Sequence, residues 1–176
     1  MITLIPMKEL KKCIRSIPDF PKKGILFRDI TPLLLDRKKF KKCIQRFVAL
    51  SPKKIDYVIS IESRGFIFGS ALAYALGAGF VPIRKGGKLP YRKFQVAYDL
   101  EYGKAVVEIH ADAIKKNSKV LIVDDVLATG GTVKAAVHLV EKFGAKIAGI
   151  YFLIELAGLQ GRTQLKKHPV HSLITY

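Results

Sequence analysis

Hydrophobic residues recur at helical spacing in two lysine-rich stretches near the start of the chain. In residues 7–17, and again in Arg37–Leu50, apolar positions are separated by three or four residues, the period of an amphipathic helix. Asp36 is suited to cap the second helix, because its carboxylate accepts hydrogen bonds from the first-turn N–H groups. The prolines and glycine of residues 18–32 exclude a long regular element, so we expect an ordered, irregular flap there.

The pattern changes after residue 54, where continuous apolar runs alternate with helical patterns. Runs typical of buried strands cover residues 55–61, 80–83, 105–109, 119–123 and 147–154. Helices are predicted over residues 65–76 and 132–143, and they end at Gly77 and Gly144. Such alternation is typical of an α/β domain with a mainly parallel central sheet flanked by helices.

A segment rich in glycine, proline and lysine, residues 86–104, interrupts the alternation. Because an insertion of this length in an α/β domain is usually functional, we predict a flexible lid (hood) loop. The length of 176 residues predicts a single domain, 1–176, in which residues 1–35 supply the N-terminal helix and the flap.

Composition adds a strongly basic character to this picture. The net charge of +17 would attract nucleic acid or polyphosphates, but the lysines are scattered over helix faces without interleaved aromatic residues. We therefore expect a solvated basic surface rather than nucleic-acid binding. No apolar run reaches the roughly 18 residues of a membrane span, and we expect no membrane association. Cys13 and Cys43, outside any CxxC motif, indicate free thiols in a reducing, cytoplasmic compartment.

The chemically informative stretch follows the apolar run at residues 119–123. It continues as Asp124 and Asp125 and then as a small-residue loop, residues 128–132, that enters a helix. Ligands of parallel α/β sheets bind beyond the carboxyl ends of such strands. Glycines in this loop allow an anion to approach the backbone, while helix-start amides and threonine hydroxyls donate hydrogen bonds to a phosphate. ATP and NAD are disfavoured, because neither a Walker A motif nor GxGxxG is present.

Two carboxylates beside a phosphate site repel it unless each has a compensating partner. Ribose hydroxyls or a bound divalent cation would provide such partners for Asp124 and Asp125. A phosphate, a sugar diol and a metal together indicate a phosphorylated ribose. The plainer alternative is an acidic pair that caps a helix and glycines that form a tight turn.

These residues carry a family resemblance. Residues 123–132 resemble the phosphoribosyl diphosphate signature of type I phosphoribosyltransferases, and four further blocks resemble the adenine phosphoribosyltransferases in their order along the chain. The blocks are residues 24–32, 62–66, 84–90 and 98–103. The resemblance implies the type I phosphoribosyltransferase fold and conversion of adenine and 5-phosphoribosyl 1-diphosphate to AMP and diphosphate, a purine salvage reaction.

The resemblance also implies roles in donor binding. The residues matched to the 5-phosphate site are Ala128, Thr129, Gly130, Gly131 and Thr132. Those matched to the diphosphate site are Arg64, Arg84, Lys85 and Lys88. Mg²⁺ is the implied cofactor, and it would be held by the donor diphosphate and water rather than by an assigned side chain.

Further roles concern the base and the chemistry. Those matched to adenine binding are Leu26, Phe27, Arg28 and Val126, with the base between Phe27 and Val126. The implied catalytic residues are Arg64, Asp124, Asp125 and Glu101, of which Glu101 would manage a ring-nitrogen proton. Tyr102 would help the lid to exclude water. The resemblance further implies a homodimer.

Two alternatives stay open. A hypoxanthine or guanine phosphoribosyltransferase would share the donor loop but should lack the Phe27-Arg28-Asp29 flap. A regulator could sense phosphoribosyl diphosphate with this fold while its basic surface binds RNA or DNA. The presence of Arg64, Lys88 and Glu101 favours the enzyme over the regulator.

Overall fold

The computed structural model describes residues 7–100 and 103–176. The chain divides into two compact units, one up to Ala49 and the other from Leu50 to Tyr176. The described elements that begin in the first unit are α1 (Met7–Lys11), β1 (Arg15–Ile17), β2 (Phe27–Asp29), α2 (Thr31–Leu35) and α3 (Arg37–Leu50). The α3 prediction is confirmed, and Asp36 Oδ1 accepts hydrogen bonds from the Lys38 and Lys39 amides, each at 3.0 Å.

The first predicted helix and the irregular flap both need correction. Helix α1 ends at Lys11, and residues 15–17 instead form β1, which pairs antiparallel with β2 inside the predicted flap. Pro18 restricts the residue before it to extended conformations, and β2 supplies backbone partners for that extended segment. A helical pattern of apolar residues therefore did not specify a helix here.

The second unit is built on a seven-stranded sheet. Its strands are β3 (Tyr57–Ile61), β4 (Gly79–Lys85), β5 (Lys93–Leu100), β6 (Gly103–His110), β7 (Lys119–Leu127), β8 (Lys146–Glu155) and β9 (Val170–Thr175). They lie in the order β5-β6-β4-β3-β7-β8-β9. Each neighbouring pair within β4-β3-β7-β8-β9 is parallel, whereas β6 pairs antiparallel with both β4 and β5. The prediction of a mainly parallel central sheet is confirmed.

Helices α4 (Gly65–Leu76) and α5 (Gly131–Glu141) cover opposite faces of this sheet. Ser60 faces α4, because a Cβ on Gly69 would lie 1.8 Å from Ser60 Oγ. Ile59 and Ile61 belong instead to the buried cluster that contains the apolar residues of α5. Since neighbouring residues of a strand point to opposite faces, the two helices lie on different sides. The expected flanking helices are therefore present.

The segment expected to be a lid loop is mainly a β-hairpin. Strand β5 pairs with β6 from Lys93 opposite His110 to Leu100 opposite Gly103. Val96 and Tyr98, two residues apart on one face of β5, pack against the core cluster, which explains why this polar segment is a strand. Residues 101 and 102 lie outside the described part of the chain.

The last third of the chain contains elements for which no prediction was made. Two short 3-10 helices, Ala157–Leu159 and Gly161–Leu165, connect β8 to β9. Among the described residues, no helix combines the length and apolar character needed to cross a membrane.

Candidate active site

A phosphate-sized recess lies where β7 passes into α5. Val120 to Val123 of β7 are fully buried, which fixes the strand, and Gly130 then adopts a left-handed conformation (φ +87°) before the helix starts. The first N–H groups of a helix have no partner within it, so they are available to an anion. The recess of about 80 Å³ includes all five residues predicted for the 5-phosphate: Ala128, Thr129, Gly130, Gly131 and Thr132.

The two predicted carboxylates stand at the edge of this recess. Asp125 is buried, and its Oδ2 lies 2.7 Å from Arg64 Nε. Asp124 is half-buried, and its Oδ1 accepts a hydrogen bond from the Asp125 amide at 2.9 Å. Burial raises the pKa of both carboxyls; the charge of Asp125 raises the pKa of Asp124 further, while Arg64 opposes the rise at both.

Small residues from β3 and α4 hold the acidic pair in position. A Cβ at Gly65 would lie 2.6 Å from Asp124 Oδ1 and 3.2 Å from Val123 O, so a side chain there would displace the carboxylate. Ser60 Oγ lies within hydrogen-bonding distance of Val123 O, at 2.9 Å, and of Gly65 O, at 3.1 Å. Neither Ser60 nor Gly65 was predicted from the sequence, because each contacts β7, which is far from it in the chain.

Two of the four predicted diphosphate-binding cations, Arg84 and Lys88, lie beside a carboxylate, Glu62, to which the sequence assigned no role. Glu62 Oε2 accepts from Arg84 Nε at 3.0 Å and from the Lys85 amide at 3.1 Å, while Oε1 lies 2.6 Å from Lys88 Nζ. The hydrogen bond from Arg84, with those from Lys88 and Lys85, lowers the pKa of Glu62 to about 2 despite burial. The position of Glu62 directly after β3, at a carboxyl end of the sheet, was the available signal.

A second carboxylate supports the backbone of the same loop. Glu108 of β6 is fully buried, and its Oε1 accepts from the amides of Lys88 at 2.7 Å and Leu89 at 2.9 Å. Its Oε2 lies 2.7 Å from Lys93 Nζ at the start of β5. Burial raises the pKa of Glu108, but these hydrogen bonds outweigh it and hold the pKa below its usual value. The loop carrying Lys88 is therefore tied to the hairpin.

A cleft of about 590 Å³ joins these groups. Its lining includes Glu62, Arg64, Lys85, Asp124, Asp125 and Thr132. Tyr98 of the β5–β6 hairpin also lines it, and its hydroxyl accepts a hydrogen bond from Thr132 Oγ1 at 3.2 Å. Arg84 and Lys88 join the group through Glu62. One cleft thus combines a residue of the helix start that is suited to anions, three acids and several cations.

The residues predicted to bind the base are divided between the two units. In the first unit, Phe27 is half-buried with Phe20 edge-on at 5.1 Å between ring centroids, Arg28 donates to Ser16 Oγ, and Leu26 is exposed. In the second unit, Val126 lines the recess of the phosphate loop. The placement of adenine between them stays a prediction. Glu101 and Tyr102 lie outside the described residues.

The oxygen-rich cleft fits a magnesium ion that is bound mainly by the donor. Carboxylate oxygens such as those of Asp124 and Asp125 suit this hard cation. Within residues 7–100 and 103–176, no group of three or more histidine, cysteine, aspartate or glutamate side chains could hold a metal ion. Coordination of magnesium by the donor diphosphate and water stays a prediction.

The fold and the cleft define a phosphoribosyltransferase type of site, and comparison with known proteins agrees. The family model of the phosphoribosyl transferase domain matches residues 34–174. An adenine phosphoribosyltransferase of Thermotoga sp. (strain RQ2) is 54% identical over 169 residues, covering 96% of this chain and 99% of its own length. The chain therefore belongs to the phosphoribosyltransferase family and, within it, to the adenine phosphoribosyltransferases.

Solved structures show the same similarity. The adenine phosphoribosyltransferase of Thermoanaerobacter pseudethanolicus superposes with a TM-score of 0.93 at 50% identity, covering 97% of this chain and all of that one (100%). The enzyme of Saccharomyces cerevisiae, in complex with an imino-altritol bisphosphate and adenine, gives a TM-score of 0.90 at 45% identity and covers 95% and 97% of the two chains. The predicted type I phosphoribosyltransferase fold is confirmed.

Proposed function

We propose that this protein transfers the 5-phosphoribosyl group of 5-phosphoribosyl 1-diphosphate to adenine and releases AMP and diphosphate, a reaction of purine salvage. The observation that carries this conclusion is the junction of the phosphate recess with the Asp124–Asp125 pair in one cleft. The similarity to adenine phosphoribosyltransferases over nearly the whole chain supports adenine as the acceptor.

We propose that the donor is fixed first at its phosphorylated end. Backbone amides of residues 129–132, with the hydroxyls of Thr129 and Thr132, would donate to the 5-phosphate. Since Thr132 Oγ1 donates to Tyr98 in this structure, phosphate binding would exchange that contact for a charge-assisted one. The Thr132 hydroxyl would therefore link phosphate binding at the loop to the position of the β5–β6 hairpin.

The acidic pair would then hold the ribose hydroxyls. Hydroxyl donors suit Asp124 and Asp125, because burial has removed much of the water that would otherwise solvate their charge. As the bond from C1 to the diphosphate breaks, the ribose gains positive charge, and two nearby carboxylates stabilise that charge. No covalent intermediate with the protein is required.

The leaving diphosphate gains negative charge in the same step. Arg64, Arg84, Lys85 and Lys88 are the proposed partners of that charge, and Glu62 holds Arg84 and Lys88 in position. Arg64 presents several N–H donors, so its contact with Asp125 is compatible with a second anionic partner. Bound magnesium would neutralise part of the diphosphate charge.

The assignments for the base rest on the family resemblance. Phe27 and Val126 would contact the two faces of adenine, the backbone around Leu26 and the Arg28 side chain would lie near the base, and Glu101 would manage the ring-nitrogen proton. Tyr102 would help to exclude water from the closed site. We further propose that both units act as one domain, 1–176, that the protein forms a homodimer, and that it acts in the cytoplasm, in keeping with its free cysteines, Cys13 and Cys43.

The deciding experiment is an incubation of the protein with Mg²⁺, 5-phosphoribosyl 1-diphosphate and labelled adenine. We expect labelled AMP, dependent on the donor, and far slower conversion of hypoxanthine under the same conditions. Equal or faster formation of IMP from hypoxanthine would reject adenine as the acceptor. Absence of any nucleotide product, with tight and salt-sensitive binding of RNA or DNA, would favour the regulator.

A further inference from the structure

We propose that a turn near the C-terminus positions the loop that binds the donor 5-phosphate, and that this turn thereby sets donor affinity. The bracing turn is the 3-10 helix Gly161–Leu165. The inference rests on the proposed function, because it assigns a positioning role toward that same substrate.

The bracing turn touches the phosphate loop backbone to backbone. A Cβ built on Gly161 would lie 2.1 Å from Ala128 O and 2.9 Å from Gly130 N. Conversely, a Cβ on Gly130 would lie 2.6 Å from Gly161 O. Both distances involve backbone atoms, which cannot rotate away as a flexible side chain would. The phosphate loop therefore keeps its shape only while residue 161 lacks a side chain.

An arginine anchors the turn to the ends of two strands. Arg162 Nε donates to Glu155 Oε1 at 2.9 Å, and Nη2 donates to the other oxygen of the same carboxylate. Arg162 Nη1 donates to Val170 O at 2.8 Å. Glu155 ends β8 and is buried, and Val170 begins β9. Such a bidentate, charge-assisted pair fixes direction as well as distance.

A third contact joins the turn to the helix on the other side of the loop. Lys134 Nζ donates to Gln164 Oε1 at 3.0 Å, while the Lys134 amide donates to Gly130 O at 2.9 Å. Because the Lys134–Gln164 contact is exposed, it should hold the turn less firmly than the two hydrogen bonds from Arg162 to Glu155. The phosphate loop is thus enclosed by the first turn of α5 and by the bracing turn.

This arrangement matters because the phosphate loop binds through backbone amides. An amide cannot compensate for displacement by changing rotamer, so its alignment with a phosphate oxygen depends on the segment behind it. Displacement of the bracing turn should therefore weaken binding of ribose phosphates. Adenine affinity should change little, since the bracing turn lies behind the phosphate loop.

Gly161→Ala tests the contact, and Gly158→Ala is the matched control three residues away. A Cβ on Gly158 would meet no atom within 4 Å. We expect Gly161→Ala to raise the donor KM roughly tenfold or more, to leave the adenine KM within about twofold, and to reduce the rise in Tm caused by a fixed concentration of ribose 5-phosphate. Gly158→Ala should match the wild type in all three measurements.

Arg162→Lys is the second variant, which retains the positive charge but cannot make the paired hydrogen bonds to the Glu155 carboxylate. We expect a donor KM raised about fivefold. Wild-type affinity of a folded Gly161→Ala or Arg162→Lys protein for ribose 5-phosphate would overturn the proposal. Equal losses for adenine and donor, or unfolding of both variants, would also overturn it, because both outcomes indicate a general structural role. Wild-type stabilisation by ribose 5-phosphate without AMP formation would reject the proposed function alone.

Discussion

The phosphate loop, residues 128–132, and the cation cluster, formed by Glu62, Arg84 and Lys88, are proposed to bind anions by different means. The loop is one continuous stretch that would bind through backbone amides at a helix start. The cluster is assembled from side chains, with Arg84 at 3.0 Å and Lys88 at 2.6 Å from Glu62. A backbone site can therefore be predicted from a local motif, whereas a side-chain site requires the sheet to bring distant residues together.

The carboxylates of the two regions also differ, because their surroundings shift their pKa values in opposite directions. Burial raises the pKa of Asp124 and Asp125, whereas hydrogen bonds from Arg84, Lys88 and Lys85 lower the pKa of Glu62 to about 2. Glu62 therefore has its partners already, whereas Asp124 and Asp125, despite the contact of Asp125 with Arg64, would gain further partners when the ribose binds. We infer that the aspartates act on the reaction and that Glu62 positions the cations.

The largest expected effect follows replacement of an aspartate beside the phosphate loop. Asp125→Asn should lower kcat by roughly 10² or more, because it removes one preorganised charge and the partner of Arg64. Steady-state kinetics with saturating adenine and donor would measure the change. The exposed Asp112→Asn provides the matched control and should retain wild-type kcat. Wild-type turnover of Asp125→Asn would remove Asp125 from the mechanism.

The next largest effect is expected for a variant that weakens binding of the base much more than binding of the donor. Phe27→Ala should raise the adenine KM roughly tenfold and the donor KM much less, because loss of an aromatic face affects the base. Leu35→Ala, which truncates a side chain of the same unit that is 78% exposed, should change neither constant. Equal increases in both constants for Phe27→Ala would indicate a structural role for Phe27.

A smaller effect on donor binding is expected when Glu108, which holds the loop carrying Lys88, is changed. Glu108→Gln keeps an acceptor for the Lys88 and Leu89 amides but removes the charge that pairs with Lys93. The donor KM should rise about threefold, a change typical of one weakened hydrogen-bonded ion pair. Glu141→Gln, at an exposed carboxylate on α5, is the control. A donor KM unchanged by Glu108→Gln would show that the hydrogen bonds from the Lys88 and Leu89 amides hold the loop without the ion pair to Lys93.

The smallest effect is a pH dependence of stability at Glu62. Because its folded pKa of about 2 lies below the ordinary value of 4.5, its charged form stabilises the fold above pH 4.5, and this contribution is lost as pH falls toward 2. The stability gap between wild type and Glu62→Gln should therefore shrink between pH 5 and pH 2. Since Lys88 is half-exposed, we expect at most about 1 kcal/mol in urea unfolding. A gap that stays constant would contradict the low pKa.

Local patterns were sufficient for part of the fold and of the site. Helix α4, with Gly77 in the left-handed conformation at its end, and α3, with its Asp36 cap, were predicted because their signals lie within the element. The phosphate loop was predicted for the same reason. Each is determined mainly by residues adjacent in sequence.

Elements that depend on distant partners were missed. The strands β1 and β5 form because β2 and β6 offer backbone partners, which no local pattern reveals. Glu62 and Glu108 gain their roles from loops about 20 residues away, and Gly161 from a loop about 30 residues away. A single glycine or glutamate carries no sign of the backbone or cation that it will meet.

The most direct test of the central claim is a crystal structure of the complex with 5-phosphoribosyl 1-diphosphate and Mg²⁺. We predict the 5-phosphate oxygens at roughly 3 Å from the amides of residues 129–132, a normal hydrogen-bond distance, and the ribose hydroxyls on Asp124 and Asp125. A donor bound elsewhere, with the recess between β7 and α5 empty, would contradict the account.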